Sequence, residues 1–413
     1  MVKLLIIADD FTGALDTGVQ FAARGAATIV VTDLNYDFRS FEKAVEVLVM
    51  VAETRHLQPK KAYEIVYNIV HRAFLAGIAY IYKKTDSALR GNIGGELTAL
   101  MDGAGIDTVP FLPAFPKLGR VTREGIHYID GVPVAQSVFG RDPFEPILNS
   151  AVPDILRQQT NVPVLIHPRM EAYKITEPGI QIFDAETDAD LEHIGRELGT
   201  ERLRFCAGCA GFAAVLADML NLKGAAPNIP KLEDTLFIVC GSVNPVTISQ
   251  MKAAEEHGFP HVNLNPLQKL EPGWVDSKPA LECVRNWLAQ ASEKKRFILD
   301  VNDPEGCEDT DNYAQEHNLT GEQLRVQISD NLAALMKRML DDGLDATLLC
   351  TGGDTLMALM KAVDVSELTP ICEMATGVVL TEFIYKGRTY HIISKSGGFG
   401  EDDLLIRLAE MIS

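Results

Sequence analysis

Cysteine is scarce in this chain: seven residues scattered through 413, odd in number, so no disulfide framework is expected and the thiols read as reduced. Cys206 and Cys209 form one C-x2-C pair, but no second pair or nearby histidine completes a zinc site, and the pair is expected to pack a helix start. His257 and His261 are spaced like metal ligands, yet Gly258 and Pro260 between them argue against the helix that spacing would need. Long hydrophobic runs are also missing. The first, Leu4 to Ala8, meets Asp9 and Asp10 at once, so it lacks the length and flanks of a secretory segment. No stretch approaches the roughly 18 apolar residues that span a bilayer, and a cytoplasmic location without membrane attachment is expected. Positive charge is in deficit: 38 Lys and Arg against 57 Asp and Glu leave a net charge of −19. That balance disfavours a grip on nucleic acid or anionic lipid, both themselves negative. It does not forbid a small anionic ligand, because a few placed cations make one site locally positive.

Signature motifs are equally absent. The chain has no G-x-x-x-x-G-K-[ST] loop and no protein-kinase catalytic set. No G-x-G-x-x-G follows a strand with an acidic residue about 20 positions later, which weakens a dinucleotide-binding reading. Neither a G-x-S-x-G elbow nor an H-E-x-x-H pair occurs.

The composition, 47% hydrophobic and 23% charged with 32 glycines and 20 prolines, is that of an ordinary globular enzyme, and the length implies more than one domain. Short apolar runs alternate with helical periodicity: strands are expected at 3–8, 28–32, 46–52, 78–83 and 108–112, with helices near 59–76 and from 94. The Pro- and Gly-rich stretch 113–146 reads as long loops with a hairpin, marked by Asp130-Gly131 and by Gly140-Arg141-Asp142-Pro143. Helices near 189–198 and 211–221 close this half. The segment 223–231 is the best linker, dividing the chain into domains at 1–224 and 232–413. The second half repeats the rhythm, with strands at 235–240, 296–301 and 346–350 and helices at 246–257, 279–291, 320–340 and 355–362. It ends in a β-rich part, 377–383 and 389–394 around the Lys386-Gly387 turn, and a helix at 402–412. The fold class is therefore α/β: two domains, each on a mainly parallel sheet with flanking helices, with a ligand cleft expected between them.

In open α/β sheets, ligands bind beyond the carboxyl ends of the strands. Asp9 and Asp10 follow the first strand there, and two adjacent carboxylates exceed what one helix cap needs. Arg55 follows the third strand and Lys84-Thr85-Asp86-Ser87 the fourth, with Arg90-Gly91-Asn92 beyond. Arg suits a carboxylate through its planar fork, so this half looks built for a small polyhydroxylated anion. The second half offers three glycine turns at strand ends: Gly241-Ser242, Gly352-Gly353-Asp354-Thr355, and Gly397-Gly398-Phe399-Gly400 after Lys395-Ser396. Backbone N–H groups in such turns hold phosphate.

These segments together resemble the four-carbon acid sugar kinase family. The carriers are Ala8-Asp9-Asp10-Phe11-Thr12-Gly13-Ala14, Lys84-Thr85-Asp86-Ser87 with Leu89-Arg90-Gly91-Asn92, Gly241-Ser242, Gly352-Gly353-Asp354-Thr355 and Lys395-Ser396-Gly397-Gly398-Phe399-Gly400, spanning nearly the whole chain. The resemblance implies an N-terminal sugar-acid domain, a C-terminal ATP domain, and transfer of the γ-phosphoryl group to the C4 hydroxyl of a tetronate. It places Asp10, Arg55, Lys84, Thr85, Asp86 and Ser87 at the substrate, with Asp10 and then Asp86 as the candidate base. It places Ser242, Gly352, Gly353, Asp354, Thr355, Gly397, Gly398, Phe399 and Gly400 at ATP. Mg²⁺ is expected with the nucleotide, its ligands unassigned, and the assembly leaves room for a homodimer. Members of the family act on D-threonate or D-erythronate in some cases and on 3-oxo-tetronates in others, and Asp16-Thr17-Gly18-Val19-Gln20 looks more like the threonate kinase branch. Leu15 and Cys209 depart from the family's usual polar residues. The rival classes are an NAD-dependent oxidoreductase, or an isomerase, of sugar acids and a non-catalytic sugar-acid binding protein.

Overall fold

The computed structural model describes residues 2–39, 45–141, 146–225, 227–304 and 306–412. The Asp142 and Pro143 turn signal lies outside them. The chain divides into two compact units, Met1–Pro227 and Asn228–Ser413.

The first unit is built on eight parallel strands. In chain order these are β1 (Leu4–Ala8), β2 (Thr28–Val31), β3 (Val47–Val51), β4 (Tyr80–Lys84), β5 (Thr108–Leu112), β9 (Val164–His167), β10 (Gly179–Phe183) and β11 (Phe205–Gly208); β6 to β8 form a separate small sheet. Their spatial order is β2-β3-β1-β4-β11-β5-β10-β9. Both faces of β1 are covered, so its run of Leu and Ile is continuous rather than alternating. Leu5, Ile7, Leu48, Met50 and Ile81 point to one face and share a core with α2 (Pro59–Leu75) and α3 (Ile93–Ala104). Tyr82 points to the other, where its ring meets Phe212 and its hydroxyl donates to the Cys209 carbonyl at 2.6 Å. Phe212 belongs to α6 (Ala210–Met219), which packs with α1 (Phe11–Ala22) and α5 (Asp188–Arg202).

Three strands of this sheet, β9 to β11, escape the sequence reading. Phe205-Cys206-Ala207-Gly208 carries no β-branched residue, and its extended form comes from pairing with β4 and β5 on either side. The hairpin expected in 113–146 is present as a three-stranded antiparallel sheet of β6 (Arg120–Arg123), β7 (Ile126–Ile129) and β8 (Val132–Pro133). Asp130 and Gly131, at φ 50° and 79°, form the two-residue turn that joins β7 to β8.

The second unit orders its strands β13-β14-β12-β15-β18-β17-β16. Parallel pairing links β13 (His261–Asn263), β14 (Arg296–Asp300), β12 (Leu236–Cys240), β15 (Thr347–Thr351) and β18 (Arg388–Lys395). Antiparallel β17 (Val378–Tyr385) and β16 (Glu367–Ala375) follow. β16 was not readable because Pro370 and two register shifts break its alternation. The helices start where caps dictate: Asn244 caps α7 (Pro245–Glu256), and Thr320 forms a capping box with Gln323 at α11 (Gly321–Asp341). Gly352 precedes α12 (Gly353–Ala362) with no side-chain cap, and α13 (Leu404–Ile412) packs against α7. Among the described residues, no helix is long and apolar enough to cross a membrane.

One buried ion pair ties the first unit together. Lys83 on β4 and Glu96 on α3 meet at 2.9 Å with exposures of 0% and 1%, and the Thr54 hydroxyl donates to the same carboxylate. Removing one partner strands a buried charge, whereas removing both leaves an apolar contact. Glu96→Leu should lower the unfolding free energy by about 3–5 kcal/mol, and Lys83→Met with Glu96→Leu should recover most of it, as read from urea denaturation midpoints.

Candidate functional site

Strand register brings the first unit's candidates to one place. Ala8 at the end of β1 aligns with Val51 on β3 and with Lys84 on β4. The residues after these three ends, Asp9-Asp10, Thr54-Arg55 and Thr85-Asp86-Ser87, therefore emerge side by side. Chain direction also diverges here: the connections after β1 run to β2 and β3 on one flank, then cross to β4 on the other. Such a switch point opens a crevice at the carboxyl edge.

Arg55 sits at the centre. Its Nε donates to Asp9 Oδ2 at 2.8 Å, its Nη2 lies 2.7 Å from Asp10 Oδ1, and the same nitrogen is 3.6 Å from Asp86 Oδ1. Asp86 is gripped from the other side by Arg90, through Nε at 2.9 Å and Nη2 at 3.2 Å. Asp10 also caps α1, accepting from the Gly13 amide at 3.2 Å and the Thr12 hydroxyl at 2.7 Å. Asp10 thus both caps the helix and meets Arg55 and Lys84. Asp10 is the most open of the three carboxylates, its side chain 16% exposed against 3% for Asp9 and 8% for Asp86.

Lys84 is the most loosely held cation. Its Nζ lies 3.4 Å from Asp9 Oδ1 and 3.5 Å from Asp10 Oδ1, longer than the 2.7–2.9 Å typical of charge-assisted hydrogen bonds. The ammonium rests over Gly13, where an added Cβ would come within 2.0 Å of Nζ. Only glycine leaves that space.

Electrostatics follow from this packing. Burial pushes the Asp10 carboxyl up, but Arg55 and then Lys84 outweigh it and hold the group well below the usual carboxylate range. Asp86 shows the same balance, burial opposed by Arg90 and Arg55, and is likewise held low. Burial works against the charged forms of Arg55 and Lys84, yet the surrounding aspartates raise both. Asp10, Asp86, Arg55 and Lys84 are therefore ionised at neutral pH.

Further contacts hold the cluster in place, and among them Arg120 and His127 were not singled out from sequence. The Asn92 amide donates to the carbonyls of Thr54 and Leu57 at 2.9 and 2.8 Å, fixing the loop that carries Arg55. Arg120 of β6 donates to the Ser87 hydroxyl, and His127 Nε2 lies 2.9 Å from the Ser87 carbonyl. The small antiparallel sheet thus braces the Lys84–Ser87 turn. Burial lowers His127 to about 4, so it is neutral and its Nε2 serves as the donor. Thr85 is buried, and its hydroxyl has no hydrogen-bond partner among the described residues. Asp9 stood beside Asp10, and Asn92 beside Arg90-Gly91, in the sequence; Arg120 and His127 had no such signal because they arrive from a distant segment.

In the second unit, Cys240, Thr351 and Lys395 are in register at the ends of β12, β15 and β18. The three glycine turns therefore begin in one row. The Gly241 amide donates to the Thr351 carbonyl at 3.2 Å, and the Thr247 hydroxyl donates to the Gly397 carbonyl at 2.7 Å. Gly352 holds φ 95°, a conformation that favours glycine, and leaves the first amides of α12 without a side-chain cap. The Gln250 amide donates to the carbonyls of Phe399, Gly400 and Glu401 at 2.9–3.0 Å, pinning the last turn to α7. Asp354 accepts from Arg325 Nη1 at 2.6 Å. Ser242 accepts from the Asn244 amide at 3.2 Å. No cluster of three or more His, Cys, Asp or Glu suited to a metal occurs among the described residues.

Two α/β units, one ending in paired carboxylates and cations and the other in glycine turns, correspond to two matched domain families. Residues 4–216 match the sugar-binding N-terminal domain, and residues 237–405 match the nucleotide-binding C-terminal domain. The chain belongs to the four-carbon acid sugar kinase family. A D-threonate kinase of Bordetella bronchiseptica is 30% identical, over 98% of this chain and 96% of its own. A D-threonate kinase of Salmonella typhimurium is 28% identical over 98% and 97%. A D-erythronate kinase of Heliobacterium modesticaldum is 28% identical over 98% and 95%. A solved Salmonella typhimurium LT2 structure, described as a tRNA synthase, superposes with a TM-score of 0.81 at 20% identity, covering all of both chains. A Haemophilus influenzae structure gives 0.73 at 19%, covering 99% of this chain and all of that one. At those identities the likeness is one of fold.

The carboxylates make stability depend on acid. A carboxyl held low when folded contributes stability that is complete above its unfolded value, near 3.9, and is lost as pH falls towards its folded value. Asp10→Asn should therefore be most destabilising relative to wild type at pH 5–7, and the difference should shrink steadily towards pH 2.5. Urea denaturation across that range measures it.

Proposed function

We propose that the protein catalyses ATP-dependent phosphorylation of the C4 hydroxyl of a four-carbon sugar acid, with D-threonate or D-erythronate as substrate. Residues 1–224 would hold the sugar acid and residues 232–413 the nucleotide. The observation that carries the reading is the Arg55 cluster, where one buried guanidinium meets Asp10 and Asp86 beside a loosely held Lys84. Full-length relatives with kinase names support the same reaction class. The 3-oxo-tetronate alternative rests on relatives at 24% identity, below the 28–30% of the D-threonate kinases named above.

In this reading Lys84 and Arg55 receive the substrate carboxylate. Thr85 and Ser87 offer hydroxyls to its oxygens. Asp10, the most exposed of the three acids, accepts a hydrogen bond from the acceptor hydroxyl and aims its lone pair. Its low basicity suits this role, because a loose phosphoryl-transfer transition state leaves the hydroxyl proton in place until late. Asp86, held by both Arg55 and Arg90, is better placed to keep Arg55 oriented than to take the proton.

The glycine turns fit a triphosphate: Gly352 leaves the α12 amides uncapped, and Gly241-Ser242 and Gly397–Gly400 start in the same row. ATP would supply the phosphoryl group and Mg²⁺ the neutralisation of charge across its phosphate oxygens. Ser242, Gly352, Gly353, Asp354, Thr355, Gly397, Gly398, Phe399 and Gly400 would line that site.

The test is ADP release in the presence of D-threonate, D-erythronate and 3-oxo-tetronates. Turnover with one of the first two, and not with the other class, is the expected outcome; no ADP release with any tetronate would overturn the assignment. Asp10→Asn should lower kcat by about 10²–10⁴-fold while KM for ATP stays within twofold. Arg55→Lys, which keeps the charge but loses the planar fork, should raise KM for the sugar acid at least tenfold.

A further inference from the structure

Lys395 closes β18 with its side chain fully buried. Its Nζ donates to three neutral oxygens: Thr247 Oγ1 at 3.2 Å, the Ser396 carbonyl at 3.1 Å and the Gly397 carbonyl at 3.3 Å. Other fully buried lysines have a carboxylate. Lys83 meets Glu96 at 2.9 Å, and Lys269 meets Asp303 at 2.6 Å. Lys395 has none within ion-pair distance among the described residues. Around it, β12 contributes the Cys240 thiol, itself held neutral by burial, α7 contributes the Thr247 hydroxyl, and β15 contributes Thr351 in the same register. A buried cation without a counter-ion is costly, and its presence calls for an explanation.

The peptide geometry supplies one. In a trans peptide the C=O and the following N–H point in opposite directions. Drawing the Ser396 and Gly397 carbonyls onto the ammonium therefore turns the Gly397 and Gly398 N–H groups away from it. Neither of those amides donates to an acceptor among the described residues. Two successive N–H groups left open in this way form an anion-binding nest.

We propose that Lys395 is the positioning residue of the phosphate site: its ammonium sets the Ser396–Gly398 peptides so that their amides face the nucleotide, and the bound phosphates are its missing counter-charge. This rests on the kinase reading above. Without nucleotide, burial lowers the amine to about 8. A bound polyanion raises it again. A group whose value rises on binding takes up a proton, so affinity is complete below the free value and is lost as pH climbs past it.

The measurement is calorimetric binding of Mg²⁺–ATP to the full chain between pH 7.5 and 9.5, where the terminal phosphate, with its second pKa near 6, is already ionised. For a free value of about 8 and a bound value above about 10, the dissociation constant should weaken about 25-fold across that range. Titrations in buffers of different ionisation enthalpy should report proton uptake. Lys395→Met should bind ATP at the weak level at every pH, with no proton uptake and with sugar-acid affinity retained. Pure loss of structure would instead weaken both ligands together. A wild-type affinity flat across the range, without proton uptake, would overturn the role of Lys395 while leaving the kinase reading standing. Absence of ATP binding at any pH would overturn both.

Discussion

Arg55 is the constraint around which the first unit is arranged. A guanidinium this deeply buried persists only if carboxylates surround it and each finds a compatible geometry. Here Asp9, Asp10 and Asp86 come from the ends of two different strands, and Arg55 itself from a third. Their meeting requires β3, β1 and β4 to lie side by side in one register. A shift of one residue in either pairing would turn the aspartates away from the guanidinium and leave the charge unpaired. The braces around the cluster serve the same end: Asn92 holds the Arg55 loop, Arg120 and His127 hold the Ser87 turn, and Gly13 leaves room for Lys84.

The two units apply one topological rule to two kinds of chemistry. Each places its candidate site at the carboxyl edge, where the strand order changes direction. The first unit equips that edge with charged side chains, suited to a small ligand bearing a carboxylate and hydroxyls. The second equips it with open backbone amides, suited to phosphates that approach closely and need many donors. Lys395 is the exception in the second unit, a side-chain charge whose direct contacts are with the backbone and with one hydroxyl rather than with another charge.

This division also reconciles the global charge with the proposed ligands. A chain at −19 repels anions at long range, yet solvent and salt screen that field within about 8–10 Å. Arg55, Lys84 and Lys395 are buried, where charges are screened far less, so at contact distance they would outweigh the distant net charge for the proposed ligands.

Much of this was legible in the residues themselves. The apolar run Leu4–Ala8 ending in Asp9-Asp10 announced a buried strand with acids at its carboxyl end, and Asp130-Gly131 announced a hairpin turn, because both signals are local. The same holds for Gly352 and the other glycine turns, whose backbone requirements are written in single residues. What went unread were β9 to β11 and β16, of which β11 takes its extended form from its neighbours, and the partners that arrive from afar, Arg120 and His127 at the Ser87 turn and Glu96 at Lys83. Nor could the tuning of Asp10 and Lys395 be read, since a carboxylate beside Arg55 and an amine ringed by carbonyls acquire their properties from distances across strands. Local propensity and periodicity travel along the chain; ion pairing and desolvation act through space, and they exist only once the sheet has set its register.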